Sequence, residues 1–225
     1  GLSRAIATFG KVPRGISVST WLNRARQSVA IRDSFWTPLC ISVMNAPPET
    51  APADELVSVL SEAFSSSGGA FMGWSTVGLS NLYPKQARAF INNGGGEVRG
   101  GSSVNEVNYQ DNRIVISLRE NLTLKSNAVI LAVPPPRARD ILLTLCPDLA
   151  LQLDTYSPSP ILGINLWFDR PLLDQPFLGF LGYTVEWAFN KPALFGSTDQ
   201  ASEGHITLVV SASIDLLSMS EVELV

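Results

Sequence analysis

Residues 94–136 read GGGEVRGGSSVNEVNYQDNRIVISLRENLTLKSNAVILAVPPP, and the fold turns on this stretch. A glycine run opens it and three short segments follow. An apolar run, residues 128–133, then stops at Pro134, Pro135 and Pro136. Arg113-Ile114-Val115-Ile116-Ser117-Leu118 alternates with the period of two of a half-buried antiparallel sheet. Residues 128–133 do not alternate, so the expectation there is a strand covered on both faces, as in a parallel sheet between layers. The class implied is mixed α/β, with a small antiparallel meander feeding a buried parallel strand.

The flanks differ in texture. Upstream the pattern is helical. Ser19 is placed as the cap of a helix carrying Trp21, Leu22 and Ala25. Asp33 or Ser34 would cap the next, with Pro38 in its first turn and Leu39, Cys40, Val43 and Met44 as its apolar face, ended by Pro47-Pro48. A third helix would start near Pro52, with Asp54 and Glu55 in its first turn and Leu56, Val59, Leu60 and Ala63 as its stripe. Residues 65–69 read as a loop. A short helix over 85–92 should present Ala87, Phe90 and Ile91 and stop at Gly94-Gly95-Gly96. Another helix should span 137–145. Downstream, strands are expected over 161–168, 178–181, 185–190 and 206–213. The last residues hold a helix start at Ser218 or Ser220.

Composition bounds the function. The 225 residues can bury a sizeable core. A net charge of −4 and the absence of any Lys/Arg run argue against nucleic acid. Cys40 and Cys146 lie far apart with no ligand-like spacing, which excludes a zinc motif and leaves two reduced core thiols. No apolar run has the length of a spanning helix and no signal peptide is visible, so the expected location is cytoplasmic. The chain opens on Gly1 and stops inside a predicted helix, so an internal piece of a longer protein is expected.

Motifs are sparse. The glycines Gly94, Gly95, Gly96, Gly100 and Gly101 lack the G-x-G-x-x-G spacing and precede a strand instead of opening a helix. No Walker A, metalloprotease or Gly-x-Ser-x-Gly pattern occurs. His205, the only histidine, reads as an exposed strand end. Asp33 and Glu186 fit capping and strand-face roles as well as acid catalysis. Asn121-Leu122-Thr123 matches a glycosylation sequon inside a predicted hairpin. The prolines at 134–136 fit a stiff connector, or the wall of a ligand cleft at a strand end. The aromatic load of Trp36, Trp74, Trp167, Phe168, Phe177, Phe180 and Trp187 fits core packing, and the strand-rich part of it, from Ile161 to Phe189, also fits the walls of a wide apolar pocket.

Several segments together carry a family likeness. Phe35-Trp36-Thr37-Pro38-Leu39-Cys40, Met44-Asn45-Ala46-Pro47-Pro48-Glu49-Thr50-Ala51 and Leu82-Tyr83-Pro84 are three of them. Gly95-Gly96-Glu97-Val98-Arg99, Ala132-Val133-Pro134-Pro135 and Asn165-Leu166-Trp167-Phe168-Asp169-Arg170-Pro171-Leu172 are the others. In order along the chain they resemble the squalene-associated FAD-dependent desaturases, or hydroxysqualene dehydroxylases, of the flavin-containing amine oxidase and phytoene desaturase superfamily. Thr37 departs from the pattern, since relatives often carry an acid there.

The resemblance implies a Rossmann-like FAD domain in the middle of the chain, residues 76–156. Residues 1–75 and 157–225 would be helical and strand-rich parts of a substrate domain. It implies FAD as cofactor, with the backbone of Val104 at the adenine edge and Ala132, Val133 and Pro134 at the strand end nearing the cofactor. It implies a hydrophobic isoprenoid substrate, hydroxysqualene first, and peripheral contact with the inner face of the cytoplasmic membrane. Sister activities on the same scaffold are a carotenoid desaturase, a protoporphyrinogen oxidase and an amine oxidase. A non-catalytic lipid-binding or interaction domain is the rival from another class. No metal site is implied, and no catalytic side chain is assigned.

Overall fold

The computed structural model describes residues 2–65, 71, 73–119, 121–196, 203–220 and 223. The predicted loop at 65–69 and the predicted C-terminal helix fall largely outside them. The chain divides into two compact units, Gly1–Leu82 with Ser159–Val225, and Tyr83–Pro158.

The first unit begins with helices α1 (Leu2–Ile6), α2 (Val18–Arg24) and α3 (Val29–Ile31). A π-helical turn, Arg32–Trp36, runs straight into α4 (Thr37–Met44), and α5 (Ala53–Ala63) and α6 (Leu79–Leu82) follow. Ser17, not Ser19, caps α2, its side chain accepting from the Thr20 N–H. Asp33 and Ser34 cap nothing; they lie inside the π turn. There the Thr37 N–H reaches the Arg32 carbonyl, five residues back. The extra residue falls just ahead of Pro38, whose ring in a regular helix clashes with the carbonyl four residues earlier. Widening the turn lets the helix pass through the proline.

The core of this unit gathers Val18, Trp21, Leu22, Trp36, Cys40, Leu56 and Leu60. Trp21 and Trp36 meet edge-to-face with centroids 5.2 Å apart. Each indole N–H has an acceptor, Thr8 Oγ1 at 2.9 Å and Gln27 Oε1 at 3.1 Å. Such pairing removes the penalty for burying a polar N–H. On α5 the buried stripe is Ala53, Leu56, Val57 and Leu60, while the predicted Val59 points to solvent.

The same unit carries a four-stranded antiparallel sheet in the order β4 (Leu162–Phe168), β7 (Gly204–Val210), β6 (Trp187–Asn190), β5 (Phe177–Gly179). Helix α10 (Lys191–Phe195) leaves β6, with the Asn190 side chain accepting from the Ala193 N–H. Strand β7 opens two residues before its predicted start. Gly204 is pressed so close to β4 that a Cβ there would lie 2.1 Å from the Phe168 carbonyl oxygen. Strand β7 also ends early, because side chains take over from the ladder. The Ser211 N–H donates to Glu186 Oε2 at 2.7 Å and the Ala212 N–H to Asn45 Oδ1 at 2.7 Å. Asn45, left-handed at the end of α4, also donates from Nδ2 to the Ser159 carbonyl at 2.8 Å. One side chain thus ties α4 to the chain entering β4 and the chain leaving β7, at one end of the sheet.

The second unit holds α7 (Pro84–Asn93), the meander β1 (Val104–Gln110), β2 (Arg113–Leu118) and β3 (Thr123–Ser126), then α8 (Pro135–Leu142) and α9 (Pro147–Leu153). Asp111 and Asn112, both with positive φ, form the two-residue turn between β1 and β2, as the twist of a hairpin favours. The sequon residue Asn121 is left-handed in the next turn.

The expected buried parallel strand is not there. Residues 128–133 join no sheet, and Ile130 is 92% exposed. Every pairing among the described residues is antiparallel. A parallel strand exists only by pairing with a neighbour, and among the described residues none runs beside this one. Phe90, placed on the apolar face of α7, is likewise 81% exposed.

Candidate functional site

The sheet of the first unit has two unlike faces. In register, Phe177 pairs with Phe189, Phe189 with Thr207, and Thr207 with Asn165. Directly paired residues share a face, so these four side chains cross the sheet in one row. Trp187, Val209 and Gly163 form a neighbouring row, and His205 with Trp167 another. The opposite face carries the buried residues Ala188, Asn190, Ile206 and Val210.

The row face is aromatic at its β5–β6 end. Trp187 and Phe189 stack at 27° with centroids 6.3 Å apart, and Phe177 tilts against both. Trp74 closes over Phe177 edge-to-face at 5.4 Å. Gly179 makes room for this arrangement, since a Cβ there would lie 3.2 Å from the Trp187 ring. Together with Val77, Leu79, Leu194 and Phe195 these rings enclose a cavity of about 340 Å³. Among the described residues its lining contains no charged side chain. The sequence placed Phe177 and Trp187 in such a pocket correctly. Phe189 ends the run of strands, 161–189, expected as its walls; Trp74 and Leu194 were not placed there, since they come from a loop and a short helix that only the fold brings to the strands.

A second cavity, of about 400 Å³, lies in the second unit. Val104, Ile116, Leu118 and Leu124 form its apolar wall, and Glu97, Arg99 and Ser102 its polar rim. Glu97 and Arg99 are locked in a two-pronged ion pair, at 2.8 and 2.7 Å, which holds the Glu97 carboxyl below its usual range. The Val104 carbonyl accepts from the Arg137 guanidinium on α8. A carbonyl has two lone pairs, so one remains for a ligand. An apolar wall beside a polar rim suits a base with its sugar, so these residues fit one flank of an adenosine.

Ala132, Val133 and Pro134 lie in the extended run before α8, and Ala132 and Val133 are exposed. The Pro134 carbonyl accepts from the N–H groups of Arg137 and Ala138, which makes it the helix's entry residue. The prolines and Val104 share one unit, with Arg137 spanning from the helix to the strand.

The remaining candidates have structural partners. Glu186 receives the Ser211 N–H. Asp33 sits in the π turn. Cys40 is fully buried, and desolvation together with the negative Glu49 pushes its thiol up to about 11. Cys146 is exposed, not a core thiol, because it precedes Pro147 at the surface end of α9. His205 stacks on Trp167 at 4.4 Å and bonds Asn165 Oδ1 through Nε2 at 3.1 Å. Among the described residues there is no cluster that could hold a metal ion, and no helix long and apolar enough to cross a membrane.

Comparison with known proteins agrees with this architecture. No curated protein matches the chain. Among solved structures, a putrescine oxidase with bound putrescine superposes with a TM-score of 0.67 at 15% identity, over 92% of this chain and 47% of that one. An oxidoreductase from Methanosarcina mazei gives 0.72 at 14%, over 99% and 53%. A Pyrococcus furiosus protein gives 0.67 at 15%, over 92% and 53%. The chain thus spans about half the length of the structures it resembles, and at such identities the likeness is one of fold. The model for flavin containing amine oxidoreductases matches residues 24–225. The chain belongs to the flavin containing amine oxidoreductase family, whose cofactor is FAD.

Proposed function

We propose that the chain is part of an FAD-dependent oxidoreductase acting on a polyisoprenoid, with reductive dehydroxylation of hydroxysqualene to squalene as the reaction. The unit Gly1–Leu82 with Ser159–Val225 is the substrate side, and Tyr83–Pro158 the cofactor side. In this reading Val104 meets the adenine edge, and Ala132, Val133 and Pro134 lie toward the cofactor.

One observation carries the proposal: the 340 Å³ cavity is walled by Trp74, Phe177, Trp187 and Phe189, and among the described residues its lining has no charged side chain. Burying apolar carbon is worth about 0.8 kcal/mol per CH₂, so each five-carbon unit sheltered here adds roughly 4 kcal/mol. A diamine would bring two charges into a wall without a carboxylate to pair them. When bound, reduced FAD would supply the hydride that replaces the hydroxyl, which would leave with a proton as water. The residues of this chain hold the hydrocarbon still and keep water from the reacting carbon. Because such a substrate partitions into lipid, the enzyme collects it at a membrane surface.

The same rings favour a second reading, an amine oxidase, since an alkylammonium over Trp187 gains about 0.5–2 kcal/mol from the ring face. Calorimetric titration of the full-length flavoprotein separates the two. Squalene should bind and putrescine should not, and Phe189→Ala should weaken squalene. Putrescine binding without squalene binding sinks the isoprenoid proposal.

A further inference from the structure

The aromatic cavity has a neighbour in the same unit, a cavity of about 270 Å³. Pro38 and Ser42 come to it from α4, and Gly179, Phe180 and Leu181 from the end of β5. Among the described residues Trp187 alone belongs to the lining of both cavities. The contacts of its indole place the ring between them. Phe177 and Phe189, which line the first cavity, have their centroids 6.1 and 6.3 Å from it. Gly179 and Ser42, which line the second, meet its benzo edge and its N–H. Gly179 pairs directly with Trp187 across β5 and β6, and without a side chain it leaves open the space that any larger residue would fill.

A wall backed by packed protein cannot be displaced, whereas a wall backed by a void ends a chain only because one side chain stands there. Trp187 is a wall of the second kind. Its Nε1 donates to Ser42 Oγ at 3.3 Å, beyond the usual range of about 2.7–3.2 Å, so the bond is weak. Ser42 is exposed, so removing the indole leaves its hydroxyl to water and strands no buried polar group. Glu186 also lines the second cavity, with Oε2 already engaged by the Ser211 N–H at 2.7 Å. A CH₂ is of similar size to a water, whose share of liquid volume is about 30 Å³, so this space has room for at least one five-carbon unit.

We propose that Trp187 is the floor that sets the length of isoprenoid chain the aromatic cavity accepts, and that the second cavity is the space a longer chain enters once the indole is removed. This rests on the isoprenoid reading of the aromatic cavity and names the residue that gives the site its chain-length preference.

The test is calorimetric binding of geraniol, farnesol, geranylgeraniol and geranylfarnesol to the full-length flavoprotein. In the wild type, affinity should rise with each five-carbon unit and level off where the chain meets the indole, a result that needs no variant. In Trp187→Leu and Trp187→Ala the levelling should come one unit later. The first alcohol beyond the wild-type limit should then bind about tenfold or more tighter to the variants, while shorter alcohols bind no tighter. Ser42→Phe added to Trp187→Ala fills the second cavity and should restore the wild-type limit. Affinity that keeps rising through the wild-type series overturns the floor and leaves the isoprenoid reading standing. Variants that level off where the wild type does, or a gain that survives Ser42→Phe, do the same. Failure of all four alcohols to bind the wild type overturns both.

Discussion

Replacing Asn45 by Ala should destabilise the first unit by about 2–4 kcal/mol. The side chain holds two backbone groups, the Ala212 N–H at 2.7 Å and the Ser159 carbonyl at 2.8 Å. Each net bond is worth about 0.5–1.5 kcal/mol, with the half-buried Ala212 contact at the upper end and the exposed Ser159 contact at the lower. Asn45 also has φ of 48°, a left-handed conformation that costs a residue such as alanine about 1–2 kcal/mol. Asn45→Gly separates these parts, because glycine adopts the conformation freely yet makes neither bond. It should therefore lose about 1 kcal/mol less than Asn45→Ala. Urea unfolding followed through Trp21 and Trp36, both buried in this unit, reports the change. With a slope of roughly 2 kcal/mol per molar, the Ala variant's midpoint should fall by about 1–2 M. A fall below about 0.3 M, or a Gly variant no better than Ala, refutes the account of Asn45 as the tie between helices and sheet.

Three further outcomes follow from the geometry. Gly204→Ala should lower stability by about 1–3 kcal/mol or more, since its Cβ would collide with the Phe168 carbonyl and β4 would have to part from β7; amide exchange along Leu162–Phe168 should accelerate. Phe189→Ala should weaken squalene binding about tenfold or more by calorimetry while leaving the flavin spectrum unchanged, as it removes an apolar wall of the cavity in the first unit. At pH 8 a thiol reagent should label Cys146 quickly and Cys40 only after unfolding. Burial keeps the Cys40 thiol protonated until the pH nears 11, and only the thiolate reacts.

Much of the strand architecture could be read directly. The alternation at 113–118 marked β2, and the runs at 161–168 and 185–190 marked β4 and β6 to within a residue or two. Local pattern sufficed because each strand has one covered face. It failed at 128–133, where an all-apolar run records what a strand would bury but not whether a neighbour is present. The π turn was also hidden, because a proline at 38 reads as a helix start when the structure widens one turn to admit it. The candidate cavity was half legible. Phe177 and Trp187 stood out as aromatics in strands. Trp74 and Leu194 joined them through loop and helix geometry that carries no sequence period.

The most direct test is product formation. The full-length flavoprotein, reduced and kept without oxygen, should convert hydroxysqualene to squalene in proportion to flavin, and should leave putrescine unchanged. Unaltered hydroxysqualene together with turnover of putrescine by the oxidised protein would contradict the isoprenoid assignment.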